Sequence, residues 1–353
     1  MKKSLFFSIN VLLLSGTALL SLPGNGQTSG QTSGQTPAPT PAQFQHWRLP
    51  APPHPADNQP NPDRIDLGKI LFFDTRLSGN GSLSCVSCHM PQLGWSDGKK
   101  VSIGMNGKPM ARNSPSLINH VYNTGPTMWA GQKKSLEDQV GGPMTNSDIM
   151  ASDIPGFLKT LNENPVYKAK FDKAYPGEAI DMVTVAKALA NFERTIVSRD
   201  TRFDQWLEGK NTLTAQQLRG LALFTDEKKG NCAVCHTAPT FTDNGFHNIG
   251  LNSPDVGRHK VKPLPALLGA FKTPQLRDAE YKAPYMHDGS LKTLMDVVEH
   301  YNKGGQKDGG GGVGTLSANV KPLNLSEQEK KDLVAFLEAL SGPRQSMTPP
   351  ALP

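Results

Sequence analysis

The chain has 353 residues, 37% of them hydrophobic, and its 37 lysines and arginines against 31 aspartates and glutamates give a formal net charge of +6. That length accommodates two domains of ordinary size. The basic residues are scattered, and isolated pairs such as Lys99-Lys100 make no continuous basic face, so a nucleic-acid-binding role is excluded.

At the start of the chain, Lys2 and Lys3 precede an apolar stretch from Leu5 to Leu22, the layout of a secretory signal peptide. Ser8, Asn10, Ser15, Gly16, Thr17 and Ser21 dilute that stretch, whereas a spanning helix needs about 20 predominantly apolar residues. Residues 1–26 are therefore expected to be cleaved near Pro23–Gln27, with no stable membrane insertion; loss of the two lysines lowers the charge from +6 to +4. Residues 27–60 begin with two copies of Gln-Thr-Ser-Gly (Gln27–Gly30 and Gln31–Gly34) and a proline-rich run, a composition that predicts a disordered leader.

All four cysteines lie in two copies of one motif, Cys85-Val86-Ser87-Cys88-His89 and Cys232-Ala233-Val234-Cys235-His236. Two thiols three residues apart can form thioethers to the vinyl groups of one haem, and the adjacent imidazole then reaches the iron. A zinc ribbon would place its two Cys-x-x-Cys halves about 15–20 residues apart, and a redox dithiol needs no histidine after each pair. The motifs thus predict two covalently bound haem c groups, seeding domains over residues 61–212 and 213–345, with a tail over 346–353.

The periodic segments between them read as helices. Val183 to Val197 is one; Thr214-Ala215-Gln216-Gln217 opens a second carrying Leu218, Leu221 and Phe224; Ser326 with Glu329 caps a third carrying Leu333, Phe336, Leu337 and Leu340. Long Gly/Pro-rich stretches and no alternating strand pattern make the fold class mainly α, as two cytochrome c-like haem domains with long loops. Ser290 to Tyr301 forms another stripe, with Leu291, Leu294, Val297, Val298 and Tyr301 on one face.

The ligand on the far side of each iron sets the chemistry, because a doubly ligated iron passes electrons and an open one binds peroxide or oxygen. For the second haem, Tyr301, Met286, His287, Met295 and His300 all compete, and periodicity does not choose among them. On periodicity alone Tyr301 reads first as a core tyrosine with a satisfied hydroxyl, and phenolate ligation is the alternative.

Leu67-Gly68-Lys69, Leu71-Phe72-Phe73-Asp74, Leu77-Ser78 and Ser84-Cys85 through His89 resemble the bacterial di-haem cytochrome c peroxidase and MauG family. So do Ser96-Asp97-Gly98, Arg112-Asn113-Ser114-Pro115, Trp129, Ser135 to Gln139, Gly142-Pro143, Phe246 to Gly250, Lys272 to Arg277 and Ala283 to Gly289. This resemblance implies a periplasmic enzyme that reduces hydrogen peroxide at the N-terminal haem with electrons entering through the C-terminal one. It places Trp129 between the haems, where its alternative role is packing, and implies a calcium ion held by Asn113 and by the carbonyls of Lys282 and Pro284. Tyr301 lies fourteen residues after His287, where the MauG-like branch has tyrosine and conventional peroxidases have methionine. The resemblance thus favours His236 and Tyr301 as ligands of the second iron.

The first haem departs from the family pattern. Met105 stands at the distal-histidine position, and Ile149 stands where a glutamate handles protons ten residues after the retained Gln139. Three outcomes follow. Asp148 turns into the pocket as acid/base; or Met105 ligates the iron and leaves a non-enzymatic electron carrier; or an open pocket works through Gln139 and water. A further alternative is MauG-like oxidation of a partner protein, with Lys303 to Thr315 as a mobile docking edge. The expected partners are peroxide and either a small periplasmic electron donor of cytochrome c or cupredoxin type or a protein substrate.

Overall fold

The computed structural model describes residues 37–305 and 312–353. The first long helix, α1 (Pro62–Phe73), starts where Asn61 accepts the Arg64 amide at 2.8 Å and Pro62 supplies a helix-ready first residue. There follow α2 (Leu136–Thr145), α3 (Ile154–Glu163), α4 (Pro165–Ala174), α5 (Met182–Glu193), α6 (Arg202–Leu207), α7 (Ala215–Thr225), α8 (Leu294–Asn302) and α9 (Glu327–Ala339). The one sheet among the described residues pairs β1 (Phe246–His247) with β2 (Phe271–Lys272) in antiparallel register, Phe246 opposite Lys272. The fold is mainly α-helical with long loops, and none of the described helices is long and apolar enough to cross a membrane.

The same helix crossing occurs twice. In the first half α1 packs on α5, and a side chain at Gly68 would collide with the Ala188 carbonyl and Phe192. In the second half α7 packs on α9, and a side chain at Gly220 would meet the Asp332 carbonyl and Phe336 in the same way. Glycine at each crossing lets two backbones approach to contact, and the phenylalanine four residues beyond the contacted carbonyl closes each core. Leu67, Leu71, Phe72, Trp95 and Phe192 fill the first core; Phe203, Phe224, Phe241 and Phe336 fill the second through edge-to-face ring contacts.

Several expectations need revision. The division between halves falls before α6, in the non-helical stretch 196–200, because Phe203, Trp206, Leu207 and Leu213 all belong to the second core. The fully buried Arg277 secures α6 there with a two-pronged pair to Asp204 at 2.7 and 2.8 Å. The expected leader is ordered from Pro41 onward: Pro41–Trp47 is a 3-10 helix whose Trp47 ring meets Phe241 edge-on at 5.5 Å, while Gln45 donates to the Leu207 carbonyl at 2.6 Å. Farther along, buried Asn58 donates to Glu137 and to the Lys187 carbonyl, so this segment straps the second core to the first. The strap's polar composition concealed two deeply buried anchors. Residues 1–36, with the expected signal, lie outside the described residues, as do 306–311 of the proposed docking edge.

Helix ends shift as well. α5 stops at Glu193 rather than Val197, and α8 begins at Leu294 because Thr293 caps it by accepting the Asp296 amide. Leu291 instead bridges to Tyr285. Near the C-terminus, Gln345 accepts the Trp95 indole N–H at 2.7 Å and Met347 packs on the first core, so the chain's end returns to the opposite half.

Candidate active site

Each Cys-x-x-Cys-His motif folds as a single 3-10 turn, Cys85–Ser87 and Cys232–Val234, with the histidine amide bonded to the first cysteine's carbonyl at 3.0 and 2.9 Å. His89 donates from Nδ1 to the Trp95 carbonyl at 3.0 Å, and His236 donates from Nδ1 to the Phe241 carbonyl at 2.9 Å. A carbonyl only accepts, so Nδ1 carries the proton and Nε2 keeps its lone pair for a metal. Both carbonyls belong to aromatic residues in the left-handed region, with φ of 55° at Trp95 and 59° at Phe241. That conformation costs about 1–2 kcal/mol at a non-glycine residue. Burial of each ring in its own core offsets the strain and fixes the imidazole.

The four cysteines form no disulfide. Burial pushes the Cys232 thiol up to about 12 and the Cys85 thiol higher still, the opposite of the lowered pKa that a redox dithiol requires. Cys235, Asp243 and His247 lie close enough to share an ion, but Cys235 belongs to a haem motif and His247 is already paired with Asp243 at 2.7 Å. Unpaired thiols and an oriented imidazole at each motif fit haem attachment, and the second motif adjoins a cavity. In the second half that cavity measures about 270 Å³ and is lined by Cys232, Cys235, His236, Met286 and Tyr301.

Among the competing ligands, Tyr301, Met286 and His287 line the cavity, whereas Met295 does not. His300 donates to the Ile249 carbonyl at 2.9 Å, and His287 stacks on Phe271 with ring centroids 3.6 Å apart while Nε2 meets Ser253. The Tyr301 hydroxyl makes no hydrogen bond among the described residues, and burial holds its pKa well above the ordinary phenol range. Trp129 borders the same cavity, with its indole N–H on the Asn113 carbonyl at 2.8 Å and its ring 6.4 Å from that of His287.

On the side of the first motif, Met105 is buried, and its amide is shared between the carbonyls of Asp148 and Ile149 at 3.1 Å each. Asp148 does not turn inward. Its carboxylate, 46% exposed, pairs with Lys108 at 2.6 Å, so the Met105 loop and the Asp148 loop are fastened together from the outside. Ile149 packs on the first core, and Gln139 is half-buried on α2 with no side-chain hydrogen bond among the described residues.

Two of the three oxygens expected to hold calcium, those of Asn113 and Pro284, face the Lys282 side chain. Lys282 donates from Nζ to Asn113 Oδ1 and lies 3.4 Å from the Pro284 carbonyl, and its ammonium stands 5.6 Å from the centre of the Trp129 ring. A lysine ammonium on these oxygens does not fit a second cation beside it.

Sequence patterns gave no warning of two further residues. His120 lines the cavity and is lowered to about 4, by burial first and then by His89 and Lys272, so it is neutral. Glu193 is buried beside Cys85 with Oε2 unpartnered. A lone histidine in a loop and a glutamate at a helix end carry no motif.

Residues 62–212 match the family model described as di-haem cytochrome c peroxidase. Over 306 residues the chain is 43% identical to the methylamine utilization protein MauG of Methylorubrum extorquens, covering 85% of this chain and 84% of that protein. The chain belongs to the di-haem cytochrome c peroxidase family. It is also 38% identical over 333 residues to the cytochrome-c peroxidase IdrP1 of Denitromonas iodatirespirans, covering 83% of this chain and 85% of that one. Among solved structures, a MauG-like protein associated with microbial copper homeostasis superposes with a TM-score of 0.78 at 33% identity, over 84% of this chain and 94% of that one. The diheme peroxidase BthA of Burkholderia thailandensis superposes at 0.72 with 25% identity, over 81% and 88%. As a member of this family, the protein is a di-haem oxidoreductase of the haem-peroxidase type.

Proposed function

We propose that this di-haem enzyme works in the periplasm and reduces hydrogen peroxide at the haem carried by Cys85, Cys88 and His89, with electrons arriving from the haem carried by Cys232, Cys235 and His236. The carrying observation is that His236, Tyr301 and Trp129 share one cavity, while Trp129 is hydrogen-bonded to Asn113 of the first half. Bound haem supplies an iron that exchanges electrons and, at an open position, binds peroxide. The balance is one peroxide, two electrons and two protons to two waters.

In this reading His89 and His236 would hold the irons through Nε2, and Tyr301 would be a further protein ligand of the C-terminal one. Gln139 orients peroxide or water by hydrogen bonding. Ile149 cannot transfer a proton and Asp148 is engaged by Lys108, so protons reach the first site through water rather than a placed carboxylate. The lack of a placed acid would slow O–O cleavage. Trp129 relays electrons between the halves, and the donor is a small periplasmic cytochrome c or cupredoxin.

A second reading, oxidation of residues in a partner protein, is favoured by Tyr301 in the cavity and by 43% identity to a protein named MauG. The carrier reading instead requires Met105 as a ligand of the first iron. Electron paramagnetic resonance of the ferric and half-reduced holoprotein, followed by hydrogen peroxide, tests all three. A high-spin signal from one haem that is lost on adding peroxide supports the peroxidase. Low-spin signals alone in every redox state, with peroxide unconsumed, leave only a carrier.

A further inference from the structure

The point where the two halves meet around Trp129 is built on Asn113, and every polar group of that residue is engaged. Its amide N–H donates to the His287 carbonyl at 2.7 Å and its side-chain Nδ2 donates to the Lys99 carbonyl at 2.7 Å. Its carbonyl accepts the Trp129 indole, and its side-chain oxygen accepts the Lys282 ammonium. Asn113 is 2% exposed, so no water competes for these contacts. The Pro284 carbonyl, 3.4 Å from Lys282 Nζ, is the second oxygen facing the charge.

We propose that the Lys282 ammonium is a built-in cation that takes the place of calcium between the two haem sites, so that this enzyme needs no metal ion there. The inference is independent of which reaction the haems carry out. Calcium demands 6–8 oxygens at about 2.3–2.6 Å, with carboxylates prominent among them. An ammonium has three donors, and here the Asn113 amide oxygen and the Pro284 carbonyl face it while the Trp129 ring stands 5.6 Å away. Burial lowers the Lys282 ammonium to about 8, still above neutrality, and Asp97, 4% exposed with Oδ2 unpartnered, opposes that shift with its negative potential from the neighbouring loop. A Cβ at Gly94 would come within 3.3 Å of the Lys282 Cβ and amide nitrogen, so glycine there leaves room for the Lys282 loop against the first half.

The arrangement has a mechanical consequence. Calcium would link these loops by a bond that a chelator can break, whereas a lysine is a covalent part of one loop and leaves only on unfolding. The ammonium also lies within cation–π distance of the Trp129 ring. It therefore fixes the indole through Asn113 while keeping one positive charge beside it.

The test uses the holoprotein with both haems attached. After equilibration with excess calcium chloride and removal of free ion, plasma mass spectrometry is expected to find under about a tenth of a calcium per chain, with electron paramagnetic resonance spectra unchanged by EGTA. About one retained calcium per chain, or spectra that change with EGTA and recover with calcium, would overturn the proposal. In the second arm, Lys282→Ala frees the two oxygens and makes room for water to complete a calcium shell, and calcium should then raise its melting temperature while leaving the wild type unmoved. A folded, fully haem-loaded Lys282→Ala protein that ignores calcium contradicts a cation site at these oxygens. If that variant does not accumulate, calorimetric titration of the wild type with calcium decides alone: no saturable binding upholds the ammonium, and saturable binding refutes it.

Discussion

Tyr301→Phe isolates the chemical contribution of one hydroxyl. The ring still fills its place in the cavity, and the hydroxyl that is lost has no partner among the described residues, so packing is left almost intact. An ordinary phenol ionises near pH 10, about 3 units above neutrality, and burial pushes Tyr301 higher. Holding it as phenolate at pH 7 therefore requires at least about 4 kcal/mol from the iron. Ferric iron supplies that energy in the proposed ligation, and ferrous iron, with one charge fewer, does not. At about 59 mV per factor of ten for one electron, the difference depresses the potential of the second haem by about 180 mV. Tyr301→Phe should raise the potential by that amount, read by spectroelectrochemical titration of the holoprotein. A shift below about 60 mV would mean that Tyr301 is only a wall of the cavity.

Three other outcomes follow from the same geometry. Glu193 is pushed up to about 8 by burial, with Arg194 opposing and Glu137 adding to the effect, against 4.5 in the unfolded chain. Between those values the folded state keeps a proton that the unfolded state releases, so stability falls as pH rises through the window, by up to about 5 kcal/mol. Glu193→Gln should flatten that slope in denaturant titrations near pH 5 and pH 8, and an unchanged slope would assign the pH dependence elsewhere. Asp148→Asn removes an exposed pair worth about 0–1 kcal/mol and should leave peroxide turnover within about twofold; a loss of about a hundredfold would put its carboxylate back in the pocket. Trp47→Ala should cost about 3–5 kcal/mol of stability in thermal melts, and a change under about 1 kcal/mol would return the strap to a loose leader.

Much of the helical framework was legible because its signals are local. The Thr214 and Ser326 caps each act within one turn, where the side-chain oxygen accepts the amide three residues on and the helix has no earlier place to begin. The start of α8 is not legible in the sequence because Leu291 continues the apolar spacing, yet its backbone is committed to a bridge with Tyr285. α6 spans six residues, too few for a periodic stripe, and its membership of the second half rests on Arg277, which lies 73 residues from Asp204. The strap over Pro41 to Asn58 reads as polar linker because its anchoring residues are few, though Trp47 is held by rings from distant parts of the chain.

At the site, the sequence alone determined what two thiols and an adjacent imidazole can do chemically, since that follows from covalent spacing within five residues. Through its resemblance to the family it also put Ile149 at the expected acid/base position, and isoleucine has no proton to transfer in any fold. Only the tertiary structure decided where Asp148 points, which side chains share a cavity with His236, and that an ammonium rather than an open oxygen cluster faces Trp129. Those outcomes depend on burial and on partners far apart in the chain. Lys282 and Asn113 are separated by 169 residues, and only packing of the two halves brings their charge and oxygen together.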